Sequence, residues 1–171
     1  MPQSSSARST SSSTLAVGVE RAADEGKLPL RVWLRLLSCT RAIETEIRAR
    51  LRADFDTTLP RFDVLALLEQ QKGGLTMGEL STRLKVTSGN VTGLIDAMEL
   101  DGLVMRKQHW TDRRSTMIFT TAKGRRFFVA TAPVHHEWVD DMMAGISNAD
   151  LVALVGLLDK LKASTRRAVL K

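Results

Sequence analysis

Ser88, Asn90 and Thr92 open an amphipathic stretch, and Asp112, Arg113 and Arg114 cluster further along the chain. Hydroxyls and an amide at the start of a helix can reach base edges or phosphates, and Gly89 and Gly93 between them let the backbone approach a groove. The positive end of the helix dipole favours a phosphate at the same place. A basic loop can enter a narrow groove, where arginine responds to width and negative potential. Asp112 looks misplaced there, yet it stands two residues from Arg114 and can pin that guanidinium through a bidentate pair.

The charge balance points the same way. The span from Arg83 to Arg126 carries nine basic residues (Arg83, Lys85, Arg106, Lys107, Arg113, Arg114, Lys123, Arg125, Arg126) and four acids (Asp96, Glu99, Asp101, Asp112). It thus holds +5 of the chain's formal +6. A localised basic surface is the footprint of a polyanion binder, although a solvated charged face has the same composition.

The flanking pattern says how those residues would be held. Thr76 and Glu79 have capping-box spacing, and Leu75 and Leu80 have the spacing of a hydrophobic staple, so a short helix carrying Met77, Leu80 and Leu84 is expected. Lys85-Val86-Thr87 makes a tight connection, with Val86 tucked between helices and Thr87 capping the next one. That second helix runs from about Ser88 to Leu100, buries Val91, Leu94, Ile95 and Met98, and stops at Gly102. Two short helices, a three-residue turn and a polar tip describe a helix-turn-helix; a ligand-free helical hairpin is the plainer alternative. Strands at Leu103–Gln108 and Ser115–Thr120, joined by the basic loop, then form a wing or a merely charged hairpin.

The fold class expected is mainly α with a small β-hairpin wing: a winged helix-turn-helix plus a helical dimerisation region. Residues 1–26 read as a disordered Ser/Thr-rich tail, since 2–14 hold nine Ser or Thr and no large apolar side chain. Residues 27–58 read as an N-terminal dimerisation helix, 59–121 as the DNA-binding lobe with a helix opening at Pro60, and 122–171 as C-terminal dimerisation helices. Pro133 is expected to interrupt and kink the first of these. The last opens at Ser147 and presents Leu151, Leu154, Val155, Leu158 and Leu161. A second copy of the chain is the simplest cover for helices this apolar. No apolar run approaches the ~20 residues of a membrane span, and no secretory signal opens the chain. The single cysteine, Cys39, forms no internal disulfide and suits a reducing cytoplasm.

The stretch LTMGELSTRLKVTSGNVTGLIDAMELDGLVMRKQHWTDRRSTMIFTTAKG, residues 75–124, resembles the MarR family of bacterial transcriptional regulators, above all in VTSGNVTGLIDAMELDGLV, the DRR at 112–114 and the opening at Thr121–Gly124. The resemblance runs from about Leu28 to the C-terminus. It implies a winged-helix homodimer with first and last helices intertwined, bound to a pseudo-palindromic operator on double-stranded DNA, usually repressing, and released by a small molecule. Carried over by position, Ser88, Asn90 and Thr92 face the major groove. Arg114, held by Asp112, enters the minor groove, and Arg113 and Lys107 lie near the backbone. Trp110 departs from the small or proline residues of the family's wing tip.

The family's effector pocket, where dimer helices meet the DNA lobe, points to Trp33, Leu37 and Arg41 on the first helix and Phe62 and Leu65 on the second. An apolar wall with one arginine suits an aromatic acid or its CoA thioester. RLLSCTRAIE and TTLPRFDVL resemble members that control aromatic-acid catabolism, including those sensing hydroxycinnamoyl-CoA ligands. Plain packing is the competing account of each residue. Cys39 could sense peroxide, but the chain has no tyrosine to pair with it, and a small buried residue is the simpler reading. His136 and Asp140 could share a helix face, too few ligands for zinc, so no metal or cofactor is expected. A winged-helix module binding an acidic protein partner is the alternative function. An enzyme is disfavoured, because the chain has no phosphate-binding glycine loop, nucleophile elbow or zinc motif.

Overall fold

Helix α1 (Leu28–Phe55) opens with Pro29 in its first turn and ends where Asp56 turns left-handed, at φ 44°. These come from a computed structural model that describes residues 27–108 and 116–169; the expected tail at 1–26 and the wing tip at 109–115 lie outside the described residues. Helix α2 (Leu59–Gln70) carries Pro60 in its first turn, where no intrahelical donor is lost. Strand β1 (Leu75–Thr76) leads into α3 (Met77–Leu84), and α4 (Ser88–Leu100) follows. Strands β2 (Val104–Gln108) and β3 (Thr116–Thr120) precede the long helices α5 (Ala122–Met143) and α6 (Asn148–Val169).

The wing is more than a hairpin. The sheet order is β1-β3-β2, all antiparallel, with Leu75 opposite Ile118 and Arg106 opposite Ile118 from the other side. Thr76 therefore ends a strand and caps a helix at once. The Glu79 amide donates to its Oγ1 at 3.2 Å, and its own amide donates to Glu79 Oε2 at 2.8 Å. Those bonds favour the charged carboxylate, so the Thr76 backbone bond, with the side-chain bond next, holds Glu79 below its ordinary pKa. Gly74, at φ 79°, makes the approach: a Cβ there would stand 2.7 Å from the Phe119 ring.

Two corrections concern the turn between α3 and α4. Lys85 ends α3 in the left-handed region at φ 55°, and this swings Val86 outward, 41% exposed rather than tucked between the helices. Thr87 occupies the N-cap position in extended backbone, but its side chain makes no capping bond. A third correction is Pro133, which α5 passes without a break. The carbonyl that loses its partner belongs to Val129, one turn earlier on an exposed face, where water can satisfy it.

Two cores organise the chain. The lower core joins α2, α3, α4 and the sheet through residues such as Leu65, Leu80, Ile95 and Ile118, all fully buried. The upper core joins α1, α2 and α5 through Ile47, Leu51, Phe62 and Trp138. Phe128 packs against both. Helix α6 joins neither: every residue from Val152 to Ala168 is exposed in the single chain, although Ser147 caps it by accepting from the Asp150 amide at 3.2 Å.

His135 stacks on Phe62 in the upper core, with ring centroids 4.6 Å apart. Burial, with His136 next to it, pushes the imidazole below its ordinary 6.5. The fold therefore favours the neutral ring. Its contribution is complete above pH 6.5 and declines as the pH falls from there toward the depressed folded value. Denaturant titrations at pH 7.5 and 5.5 should show wild type losing more stability on acidification than His135→Phe. Equal losses would mean that the ring titrates as it does in the unfolded chain.

Candidate nucleic-acid interface

Helix α4 turns Val91, Ile95 and Met98 inward at fully buried positions, while Ser88, Asn90 and Thr92 are exposed around its first turns. A Cβ built on Gly89 or Gly93 would meet nothing within 4 Å, so no described residue crowds the backbone at these two positions. The side chains of Ser88 and Asn90 make no hydrogen bond to any described residue. Thr92 Oγ1 donates to the Ser88 carbonyl at 3.0 Å, which leaves its oxygen free only to accept. The exposed first turns of α4 thus offer both acceptors and donors, which reading base edges requires.

Lys107, exposed near the end of β2, sits over the Phe119 ring with Nζ 5.6 Å from the centroid. Asp112, Arg113 and Arg114 lie outside the described residues, as do His109 and Trp110. The ladder closes at Gln108 opposite Thr116, so the segment bearing them starts from adjacent strand ends beside Lys107.

The basic surface is smaller than its residue count suggests. Arg106 lies under α4 and pairs with Asp96 at 2.6 Å and with Glu99. Burial alone would lower its pKa, but those two carboxylates outweigh it and the guanidinium is held above its ordinary value. Lys123 Nζ donates to the Asp101 carbonyl at 2.7 Å, and Arg125 pairs with Glu69 at 3.2 Å. Arg61 pairs with Asp101 across the base of α4. Arg83, Lys85, Lys107 and Arg126 carry no ion pair among the described residues. The spacing of Arg106 from its two acids could have suggested its role once the strand–helix order was known. The Arg61–Asp101 pair joins residues 40 apart and has no local signal.

The residues expected to line an effector pocket do not converge within one chain. Trp33 is 57% exposed near the N-terminal end of α1, and Arg41 is exposed further along it. Leu37 is half-buried, Phe62 belongs to the upper core, and Leu65 is sealed in the lower one with no surface left to line a pocket. A cleft of ≈ 420 Å³ opens elsewhere, between α1 (Glu44, Arg48), the start of α2 (Leu59, Pro60, Asp63) and the helix-turn-helix (Leu84, Val86, Asn90, Leu94). Burial raises the pKa of Asp63 there, opposed by the Arg48 charge. Arg48 also pairs with Glu44 at 3.3 Å. Four elements contribute, which is why no single stretch of sequence announces the cleft.

Cys39 is exposed in the single chain rather than buried. His136 meets Asp140 at 3.5 Å on an exposed face, and the described residues hold no cluster of three or more metal-binding side chains. No single described helix is long and apolar enough to cross a membrane.

Known proteins share this arrangement. A family model described as the MarR family matches residues 57–116. The uncharacterized HTH-type transcriptional regulator YkoM of Bacillus subtilis strain 168 is 32% identical over 117 residues, covering 68% of this chain and 74% of that one. The transcriptional activatory protein BadR of Rhodopseudomonas palustris is 29% identical over 154 residues, 85% of this chain and 87% of its own. Among solved structures, the regulator BldR of Sulfolobus solfataricus superposes with a TM-score of 0.70 at 25% identity, over 79% of this chain and 95% of that one. The shared residues and the shared fold agree, and the chain belongs to the MarR family: it is a transcriptional regulator with a DNA-binding winged-helix fold, not an enzyme.

Proposed function

We propose that two copies of the chain form a homodimeric repressor that reads a pseudo-palindromic operator through paired α4 helices and lets go when a small ligand binds. The observation that carries the reading is the exposed N-terminal tip of α4 with Ser88, Asn90 and Thr92, held by the fully buried Val91, Ile95 and Met98 of the same helix. Lys107 and the basic tip with Asp112, Arg113 and Arg114 supply the neighbouring backbone and minor-groove contacts. The apolar face of α6 and the exposed start of α1 (Leu28, Leu30, Trp33) support dimerisation, because large exposed apolar surface is what a second copy covers. The protein acts in the cytoplasm, on the nucleoid.

The ligand reading moves from Trp33, Leu37 and Leu65 to the cleft around Arg48. Its volume suits an aromatic acid, with Arg48 as carboxylate partner against Leu59, Pro60 and Leu94, or the aromatic acyl group of a CoA thioester, whose carbonyl oxygen Arg48 would meet as a hydrogen-bond donor. Asn90 lines the same cleft. A ligand seated there meets the helix that reads DNA.

Gel shifts on the DNA upstream of the protein's own gene test both halves. Asn90→Ala is expected to lose about tenfold in preference for that DNA over random sequence, the worth of one base contact at ~1–3 kcal/mol. A panel of aromatic acids and their CoA thioesters should weaken the wild-type complex and leave Arg48→Ala unresponsive. Sequence-blind binding by wild type would favour the protein-interaction module instead.

A further inference from the structure

Helix α4 carries Asp96, Glu99 and, at its C-cap, Asp101. Acids at the C-terminal end of a helix oppose its dipole, and acids beside DNA repel phosphates, so this placement serves neither the helix nor the contact. Each acid is instead gripped from behind. The two oxygens of Glu99 accept from the Arg106 backbone amide, at 3.1 Å, and from its guanidinium, while the other arm of the same fork reaches Asp96 at 2.6 Å. Asp96 and Glu99 stand one turn apart on one face of α4, so a single planar side chain from β2 clamps the helix at two levels. Arg106 has 28% of its side chain exposed, and its charge is spent on two carboxylates.

We propose that Arg106 is a positioning residue for operator recognition: it makes no DNA contact and locks α4 to the wing strand, setting the angle at which Ser88, Asn90 and Thr92 are presented. The proposal rests on the operator-reading function above. Because β2 leads directly to the basic tip, the same clasp keeps the helix and the wing in one rigid frame. A wing that shifted along its groove would carry the helix with it.

The test compares operator and random DNA across a salt series for Arg106→Gln, Arg106→Lys, and Asp96→Asn with Glu99→Gln. Operator affinity is expected to fall about tenfold or more relative to random-sequence affinity in all three, as it does for a mismatched site, with the salt slope unchanged. The acid-to-amide pair is the sharpest arm, since removing negative charge near DNA would otherwise tighten binding. Lysine keeps the charge but not the fork, so it should fail to rescue. The exposed single change Asp96→Asn covers the case in which a double variant fails to fold. Tighter operator binding by the amide variants would overturn the clasp. So would an Arg106→Gln slope smaller by about one with equal losses on both DNAs, the mark of a phosphate contact. Wild type without sequence preference would instead overturn the operator reading itself, and the clasp with it.

Discussion

Gly124→Ala is expected to destabilise the fold by about 3 kcal/mol or more and to lower its melting temperature by roughly 10 °C at fixed protein concentration. A Cβ at that position would lie 2.0 Å from the Leu103 carbonyl oxygen and 2.9 Å from Thr120 Cγ2. The oxygen cannot yield cheaply, because it accepts from the Thr121 amide at 3.1 Å. Thr121 Oγ1 meanwhile accepts from the Gly124 amide at 3.0 Å and donates to the Gly102 carbonyl at 2.6 Å. The start of α5 is thus bolted to the end of α4, and a methyl group pries the two apart. Gly78→Ala serves as the control, since nothing lies within 4 Å of its Cβ and alanine is the better helix former. Equal melting temperatures for Gly124→Ala and wild type would show that the two backbones do not touch in this way.

Leu158→Glu should convert the protein to monomers and weaken operator binding on the order of a hundredfold or more, because the two half-sites are then engaged separately. Leu154, Leu158 and Leu161 form a stripe at helical spacing on α6, each about 40% exposed in the single chain. A carboxylate in the middle of such a stripe must be desolvated whenever another copy packs over it. Light scattering after size exclusion, read beside a gel shift, checks both halves. A variant that stays dimeric with unchanged affinity would remove α6 from the interface.

Much of the lower lobe was legible in the sequence because its signals are local. The capping box of Thr76 and Glu79, the stripe of Val91, Ile95 and Met98, and the positive φ of Gly102 each depend on residues a turn or two apart. Val86 was misjudged because a left-handed Lys85, rather than a glycine, redirects the chain, and nothing in the residue type signals that. Strand β1 was missed because a strand as short as Leu75–Thr76 has no period to detect and exists only where β3 offers an edge. The charge count overstated the free basic surface for the same reason. The partners of Arg106, Lys123 and Arg125 come from other elements, and a sum over residues cannot see that a cation is already spent. The cleft at Arg48 was hidden too, since a contour is a property of four elements and not of any one.

Phe128 gives the two cores their only common member among the described side chains that pack on them. Energetic effects of substitutions add when the sites share no partner and couple when they do. Changes inside the lower core and changes inside the upper core should therefore combine additively, so each half of the chain can drift without the other being refitted. Position 128 is one exception, and the edge-on ring contact of Phe55 on the upper core with Phe127 on the lower, centroids 6.4 Å apart, is another. A variant at either place is judged by both halves at once, and it is there that a graft of one family member's reading head onto another's helices would succeed or fail.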